Sequence, residues 1–224
     1  MSTDSSSVNL TQGSDCKDAF KAAYENRYTW EPGFSGYQGK CIREEASFTH
    51  EGTFKIEVDF KVHVEGIKDE LIHKAISSQL WEFCTHRKRR SFNDTHRQNS
   101  FTAGESDALG TEIFVGGQNA GDRYRIRKDV ITMIQRYFYG TVVLIFIEEI
   151  MATGNGYLAR KYNSQYLDPA TRSPISGISH FTDTFVALKN AGPWVLSERK
   201  IKTDAHIKIT ASSQLFRFVD LNID

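Results

Sequence analysis

The feature that most limits how this chain can fold lies after residue 99, where short apolar stretches follow one another between turn-forming breakers. Gly104-Glu-Ser-Asp-Ala-Leu-Gly110, Gly116-Gly-Gln-Asn-Ala-Gly121 and Asp168-Pro-Ala-Thr-Arg-Ser-Pro174 are the clearest breakers. Gly, Pro, Asn and Asp at this spacing separate strands rather than helices. Strands are expected near 111–115, 122–127, 130–139, 141–151, 157–167, 178–188, 194–203 and 206–219.

The first hundred residues add two helices and a hairpin. Cys16, Phe20, Ala23 and Tyr24 fall on one face at helical steps, predicting a helix over about 15–27 capped by Ser14 or Asp15. Residues 30–36 then turn the chain, a strand is expected over 37–47, and His50-Glu-Gly52 reads as a hairpin turn. From Phe54 to Val64 apolar and polar residues alternate strictly, predicting one long strand with a buried and a wet face. Ile67, Leu71, Ala75 or Ile76, Gln79 or Leu80, and Phe83 predict a second helix over about 68–85. Helix, hairpin, helix and long meander make an α+β fold, not a βαβ repeat. A twisted meander of about ten strands curls. Two helices are too few to cover it flat, so a half-barrel or cup with an apolar hollow is expected. The domain reading is a disordered Ser/Thr-rich tail over 1–13 and a single domain over 14–224.

Composition narrows the function classes. Apolar residues are 39% and aromatics 12% of 224, too many for a disordered chain and too few for an integral membrane protein. The longest apolar run, Val142 to Ile147, is far too short to span a bilayer, so no transmembrane segment is expected. Lys+Arg and Asp+Glu are 28 each, which rules out a global basic field and argues against a nucleic-acid partner. The chain starts Met1-Ser-Thr-Asp, with neither the basic start nor the apolar stretch of a secretory signal. Its three cysteines, Cys16, Cys41 and Cys84, lack a C-x-x-C. Both features predict a cytoplasmic protein with reduced thiols.

No cofactor or metal is expected. The histidines form no metal-binding spacing, Gly116–Gly121 lacks the Lys-Ser/Thr of a phosphate loop, and Gly177-Ile-Ser-His-Phe181 misses a nucleophile elbow. Two segments remain as site candidates. Tyr24, Tyr28, Trp30, Phe34 and Tyr37 form an aromatic corner around Arg27, read either as core or as a cavity rim. His86-Arg-Lys-Arg-Arg90 follows the second helix, where cations suit the helix dipole. Arg87, Arg89 and Arg90 could also fork a carboxylate or phosphate. If the cup is catalytic, His86, His96 and one of Glu148 and Glu149 are the proton-transfer candidates. An inward carboxylate there should have a raised pKa.

The runs Glu25-Asn-Arg-Tyr-Thr-Trp30, Thr85-His-Arg-Lys-Arg-Arg-Ser-Phe92 and Gly156-Tyr-Leu158 with Tyr162-Asn163 resemble a cyanobacterial domain-of-unknown-function family over about residues 16–203. Residues 204–224 then read as an addition. The element order is also similar to lipoprotein-carrier half-barrels, and that resemblance implies acyl-chain binding in a concave pocket. Three functions follow: a soluble binder of a small hydrophobic or amphipathic, acidic molecule; a cofactor-independent cyclase, isomerase or lyase of secondary metabolism; or a non-catalytic interaction partner. The sequence specifies neither ligand identity nor oligomeric state.

Overall fold

A computed structural model describes residues 13–45, 48–190, 192–207 and 209–223. The Ser/Thr-rich tail falls outside the described residues, except for Gly13, which opens the first helix. In chain order the elements are α1 (Gly13–Glu25), β1 (Tyr37–Glu45), β2 (Phe48–Ile56), β3 (Val62–Glu65), α2 (Glu70–Arg87), α3 (Phe92–His96) and nine further strands. These are β4 (Asn99–Asp107), β5 (Gly110–Gly117), β6 (Arg123–Arg127), β7 (Val130–Phe138), β8 (Thr141–Ala152), β9 (Tyr157–Leu167), β10 (Ser179–Ala187), β11 (Trp194–Thr203) and β12 (Ser212–Asn222). All pair antiparallel in one open, curled twelve-stranded sheet of order β3-β2-β1-β12-β11-β10-β9-β8-β7-β6-β5-β4. The fold is therefore the expected α+β meander with helices laid on it.

Two separate hydrophobic cores hold the helices to the sheet. Under α2, Ile72, Ile76, Leu80, Phe83 and Cys84 pack on Cys41, Phe54, Ile56, Leu196, Phe216 and Phe218. Each such aliphatic or aromatic side chain contributes about 1.5–3 kcal/mol by leaving water. Asp69 caps α2 by accepting from the Leu71 and Ile72 N–H groups at 2.9 and 3.0 Å. Under α1, Cys16, Phe20 and Ala23 pack on Phe92, Phe101, Ile113, Val115 and Tyr124. Phe20 is fully buried, with the rings of Phe101 and Tyr124 centred 5.0 and 4.6 Å away.

The sequence misleads in three places. The alternating run 54–64 is not one strand but the end of β2, a turn and β3. Asp59 Oδ1 accepts the Lys61 N–H at 3.0 Å, Phe60 takes φ 68°, and the chain reverses. Val58 is left exposed, while Phe60 returns to pack 5.3 Å from Trp30. His50-Glu-Gly52 is not the hairpin turn: Gly52 pairs with Cys41 inside β2, and residues 46–47, between β1 and β2, lie outside the described residues. Gly52 is needed for close approach, since a Cβ there would lie 2.3 Å from the Glu65 carbonyl oxygen. Gly104 likewise marks an irregular register in β4 rather than a break before a strand.

His96, one of the proton-transfer candidates, is a core residue. It is 6% exposed, walled by Phe20, Tyr24, Phe92 and Phe101, with Nδ1 against Asn99 at 3.0 Å. Burial, helped by Arg136 and Arg27, pushes its pKa down to about 4. Its ordinary value is near 6.5, so the unfolded chain binds a proton that the folded one refuses between these limits. The stability due to a neutral His96 is complete above pH 6.5 and is lost as pH falls toward 4. Replacing it by Phe should flatten the loss of stability between pH 7 and 4.5 by up to about 3 kcal/mol, read by urea unfolding at each pH.

The connector after α1 runs parallel to the start of β9. The Tyr28 N–H donates to the Tyr157 carbonyl at 2.8 Å, and the Tyr157 N–H donates to Asn26 at 2.9 Å. Gly156, at φ 108°, permits this approach: a Cβ would meet the Asn26 carbonyl oxygen at 2.4 Å. Gly156→Ala should cost at least about 1–3 kcal/mol, whereas Gly33→Ala, also at positive φ but in open space, should cost less, about 1 kcal/mol. Chemical denaturation of the pair gives the ranking.

Candidate functional site: the open centre of the sheet

Between the two cores the sheet carries no helical cover that buries it. Cross-strand partners share a face, so the register assigns one row after another to the concave side. Tyr124, Ile134, Ile145, Ser164 and Ser179 form one row, and Ile147, Tyr162 and Phe181 the next. Tyr124 and Phe181 tie these rows to the helix-bearing face, because Tyr124 packs under α1 and Phe181 beside the α2 core. Ile134, Ile145, Ile147, Tyr162 and Phe181 are only half-buried, although they occupy the middle of a twelve-stranded sheet. Tyr162 and Phe181 stack with ring centroids 4.6 Å apart and planes 4° from parallel. The result is an apolar saddle with a packed helix on either flank. Two surface grooves, of about 460 and about 530 Å³, lie elsewhere, along Lys40–Lys55–Asp220 and between Phe60 and Trp81.

The saddle floor also carries a buried ion pair. Arg199 forks Asp183 at 2.8 and 2.7 Å and reaches Gln79 of α2 at 3.0 Å. Both partners are almost wholly buried. Removing either would leave an uncompensated buried charge, a cost of about 3–5 kcal/mol. The pair fastens α2 to β10 and β11 and leaves Arg199 no spare charge for a ligand.

The basic run after α2 does not form one clamp. Arg89 forks Glu31 at 2.8 and 2.9 Å on the surface, and Arg90 is exposed. Lys88 lies over the Phe60 ring at 5.9 Å. Arg87 donates from Nη1 to the Tyr28 carbonyl at 2.8 Å, and its own carbonyl accepts the Trp30 N–H at 2.9 Å. Its buried Nε has no hydrogen-bond partner. Burial, followed by repulsion from Arg27, brings the Arg87 pKa down to about 10. Arg27 does not pair with Glu25. It donates from Nε to the Tyr24 carbonyl at 2.9 Å and lies 3.9 Å over the Tyr24 ring. Neither Arg27 nor Arg87 has an ion pair among the described residues.

His86 precedes Arg87 in the last turn of α2. Its side chain is exposed to solvent, yet the protein around it pushes its pKa down to about 3. Burial is the main cause, followed by Arg87, Arg27, Arg199 and Arg136. Guanidinium groups from the α1–β1 connector, α2, β7 and β11 all act on this point.

The structure places the other candidates elsewhere. Trp30 and Tyr37, each 1% exposed, and Tyr28 belong to the α2 core rather than to a rim. Trp30 Nε1 donates to the Trp194 carbonyl at 3.0 Å, and the Tyr28 hydroxyl accepts the Trp194 N–H at 2.9 Å. Glu148 accepts from Asn163 at 2.7 Å at an exposed position. Glu149 is held below the usual carboxylate range by Lys161 and Arg160, the opposite of the raised pKa expected for an inward acid. The register shifts on both sides of Glu149, so strict alternation does not assign its face. The saddle residues Ile134, Ile145, Tyr162 and Phe181 were absent from the candidates, because an alternating strand looks the same whether or not a helix covers it.

No curated protein matches the chain. A DUF1329 family protein from Desulfovibrio piger has a solved structure that aligns over 96% of this chain and 94% of its own, with 7% identity and a TM-score of 0.30. The family match runs over residues 11–223 and so takes in β12, which pairs with both β1 and β11 and is an integral strand, not an appendage. The chain belongs to the DUF3386 family, described as proteins of unknown function.

Proposed function

We propose that the protein binds a small amphipathic acid in the saddle. Its apolar part lies on Ile134, Ile145, Ile147, Tyr162 and Phe181, and its acidic head turns toward Arg27 and Arg87. One observation carries this reading: half-buried apolar side chains lie in the middle of a wide sheet, with Arg87 acting on Tyr162 and neither Arg87 nor its neighbour Arg27 in an ion pair among the described residues. Apolar floors with a few convergent polar groups are the usual form of a small-molecule site. Burial of an alkyl chain supplies affinity at about 0.8 kcal/mol per methylene. The head group relieves the repulsion between Arg27 and Arg87 and fixes orientation.

Acid–base catalysis has less support. Arg87, Arg27, Arg199 and Arg136 disfavour the protonated form of His86 and make it a poor general base. His96 is walled off, and Glu149 is neutralised by two cations.

The probe for this reading is 11-(dansylamino)undecanoic acid, with its uncharged amide as comparison. The acid should gain fluorescence on binding, and Ile145→Glu should weaken it at least about tenfold by placing a charge on the floor. Arg27→Gln should weaken the acid about tenfold and leave the amide nearly unchanged. Equal binding to wild type and Ile145→Glu, or no enhancement with either probe, would refute the site.

A further inference from the structure

The sheet brings three successive hairpin connections to one end: residues 139–140 between β7 and β8, 168–178 between β9 and β10, and 204–211 between β11 and β12. All three present large apolar side chains to solvent. Tyr139 is 92% exposed and Ile207 89%, and Phe138, Ile175 and Ile209 are also exposed. Tyr139 and Ile207 adopt left-handed backbone, with φ 46° and 47°. Gly or Asn suits such positions, and a β-branched residue there is unusual. The chain thus places bulky apolar residues at turn apices against local preference, where nothing among the described residues covers them. Violations of that kind concentrate at functional sites.

From this geometry we propose that these three tips dock the protein on an anionic lipid surface. The apolar residues stand on separate loops with polar turns between them, such as Asp168–Ser173. Among the described tips, only Phe138 and Tyr139 share a ring contact, at 4.4 Å. A protein partner would need a contiguous patch, whereas a bilayer interface accepts separate apolar points at a common depth. Tyrosine with arginine behind it suits the headgroup level. Arg172 is placed in that way, donating to the Tyr137 hydroxyl at 2.6 Å and lying 5.1 Å from its ring centroid.

Two cations beside the tips are placed to meet anionic headgroups. Asp168 turns into its own loop, accepting from the Ala170 and Thr171 N–H groups at 2.9 and 2.7 Å. Asp204 faces His180 at 3.3 Å, and Asp122 pairs with Arg136 at 3.1 Å. Arg172 and Lys202 have no carboxylate partner among the described residues, so two unpaired cations stand beside the apolar tips. The docking edge is also continuous with the saddle. Phe138 shares its face with Arg136 and Ile134, and the row Arg136, Val143 and Tyr166 leads from the tip to Ile145.

Vesicle sedimentation tests the proposal. Wild-type protein is mixed with phosphatidylcholine vesicles, with or without about a quarter phosphatidylglycerol, at low and moderate salt. It should co-sediment with the anionic vesicles and less so as salt rises. The variant Phe138→Ser/Tyr139→Ser/Ile207→Ser should lower the partition coefficient at least about tenfold. Arg172→Ala/Lys202→Ala should lower it on anionic vesicles only. These side chains are exposed, so unchanged circular dichroism and thermal midpoint certify the fold of each variant. The proposal falls if wild type stays in the supernatant with both vesicles, or if the tip variant partitions like wild type. It also falls if the tips instead hold two copies together, seen as a dimer that the variant loses in the absence of vesicle binding. Binding of the dansyl acid in lipid-free solution should be the same in tip variant and wild type, so failure of the lipid surface and failure of the saddle are read separately.

Discussion

A shortage of helical cover governs this molecule. A helix with its side chains is about 10–12 Å across, enough for two or three strands at about 4.8 Å spacing. Twelve strands would be nearly 60 Å wide if laid flat. Curling lets α2 touch strands from both arms of one half, β1 to β3 on one side and β10 to β12 on the other. The helix α1 does the same for β4 to β7, with α3 filling the gap beside Phe92. Two short covers still do not meet, and the centre of the sheet is left between them. The apolar run from Val142 to Ile147, wet on both sides apart from Val142, is the direct result.

The segment 26–30 joins these halves. It pairs with Tyr157 at the start of β9, takes a hydrogen bond from the side chain of Arg87 and gives one to its carbonyl, and locks onto Trp194 through Tyr28 and Trp30. One short stretch thereby fixes the end of α1, the end of α2 and the start of β11 against the sheet. Arg27 leaves the same stretch, and the carbonyl and ring of Tyr24 hold its guanidinium.

Much of the architecture was legible because period and punctuation carry it. The strands from β6 to β11 follow the breakers closely, whereas the last, expected over 206–219, runs Ser212–Asn222; both long helices form where their stripes lie. The failures have physical causes. A turn made by Asp59 with Phe60 at positive φ interrupts no apolar alternation, so the run 54–64 disguised a reversal. Gly52 and Gly104 looked like breakers, but they are close-approach glycines inside strands. The site was less legible than the fold. Of the five residues of the basic run, only Arg87 acts electrostatically on Tyr162 of the uncovered strands, and the aromatic corner is core. Which strands lack cover depends on where two helices come to rest across the whole sheet, a nonlocal outcome that no window of sequence contains.

The pairing of β1 with β12 sets a timetable for assembly. Glu44 lies opposite Leu215, and Cys41 opposite Phe218, so the N-terminal hairpin meets its central neighbour only after nearly all of the chain has been made. On the ribosome, α2 and its hairpin wait with half of their hydrophobic bed missing, while the meander from β4 onward can zip up by nearest-neighbour steps. The nascent chain therefore passes through a stage with a finished C-terminal wing and a greasy, unclosed N-terminal one. A chaperone that shields Phe54 and its neighbours during that interval would act at the most vulnerable moment of biogenesis.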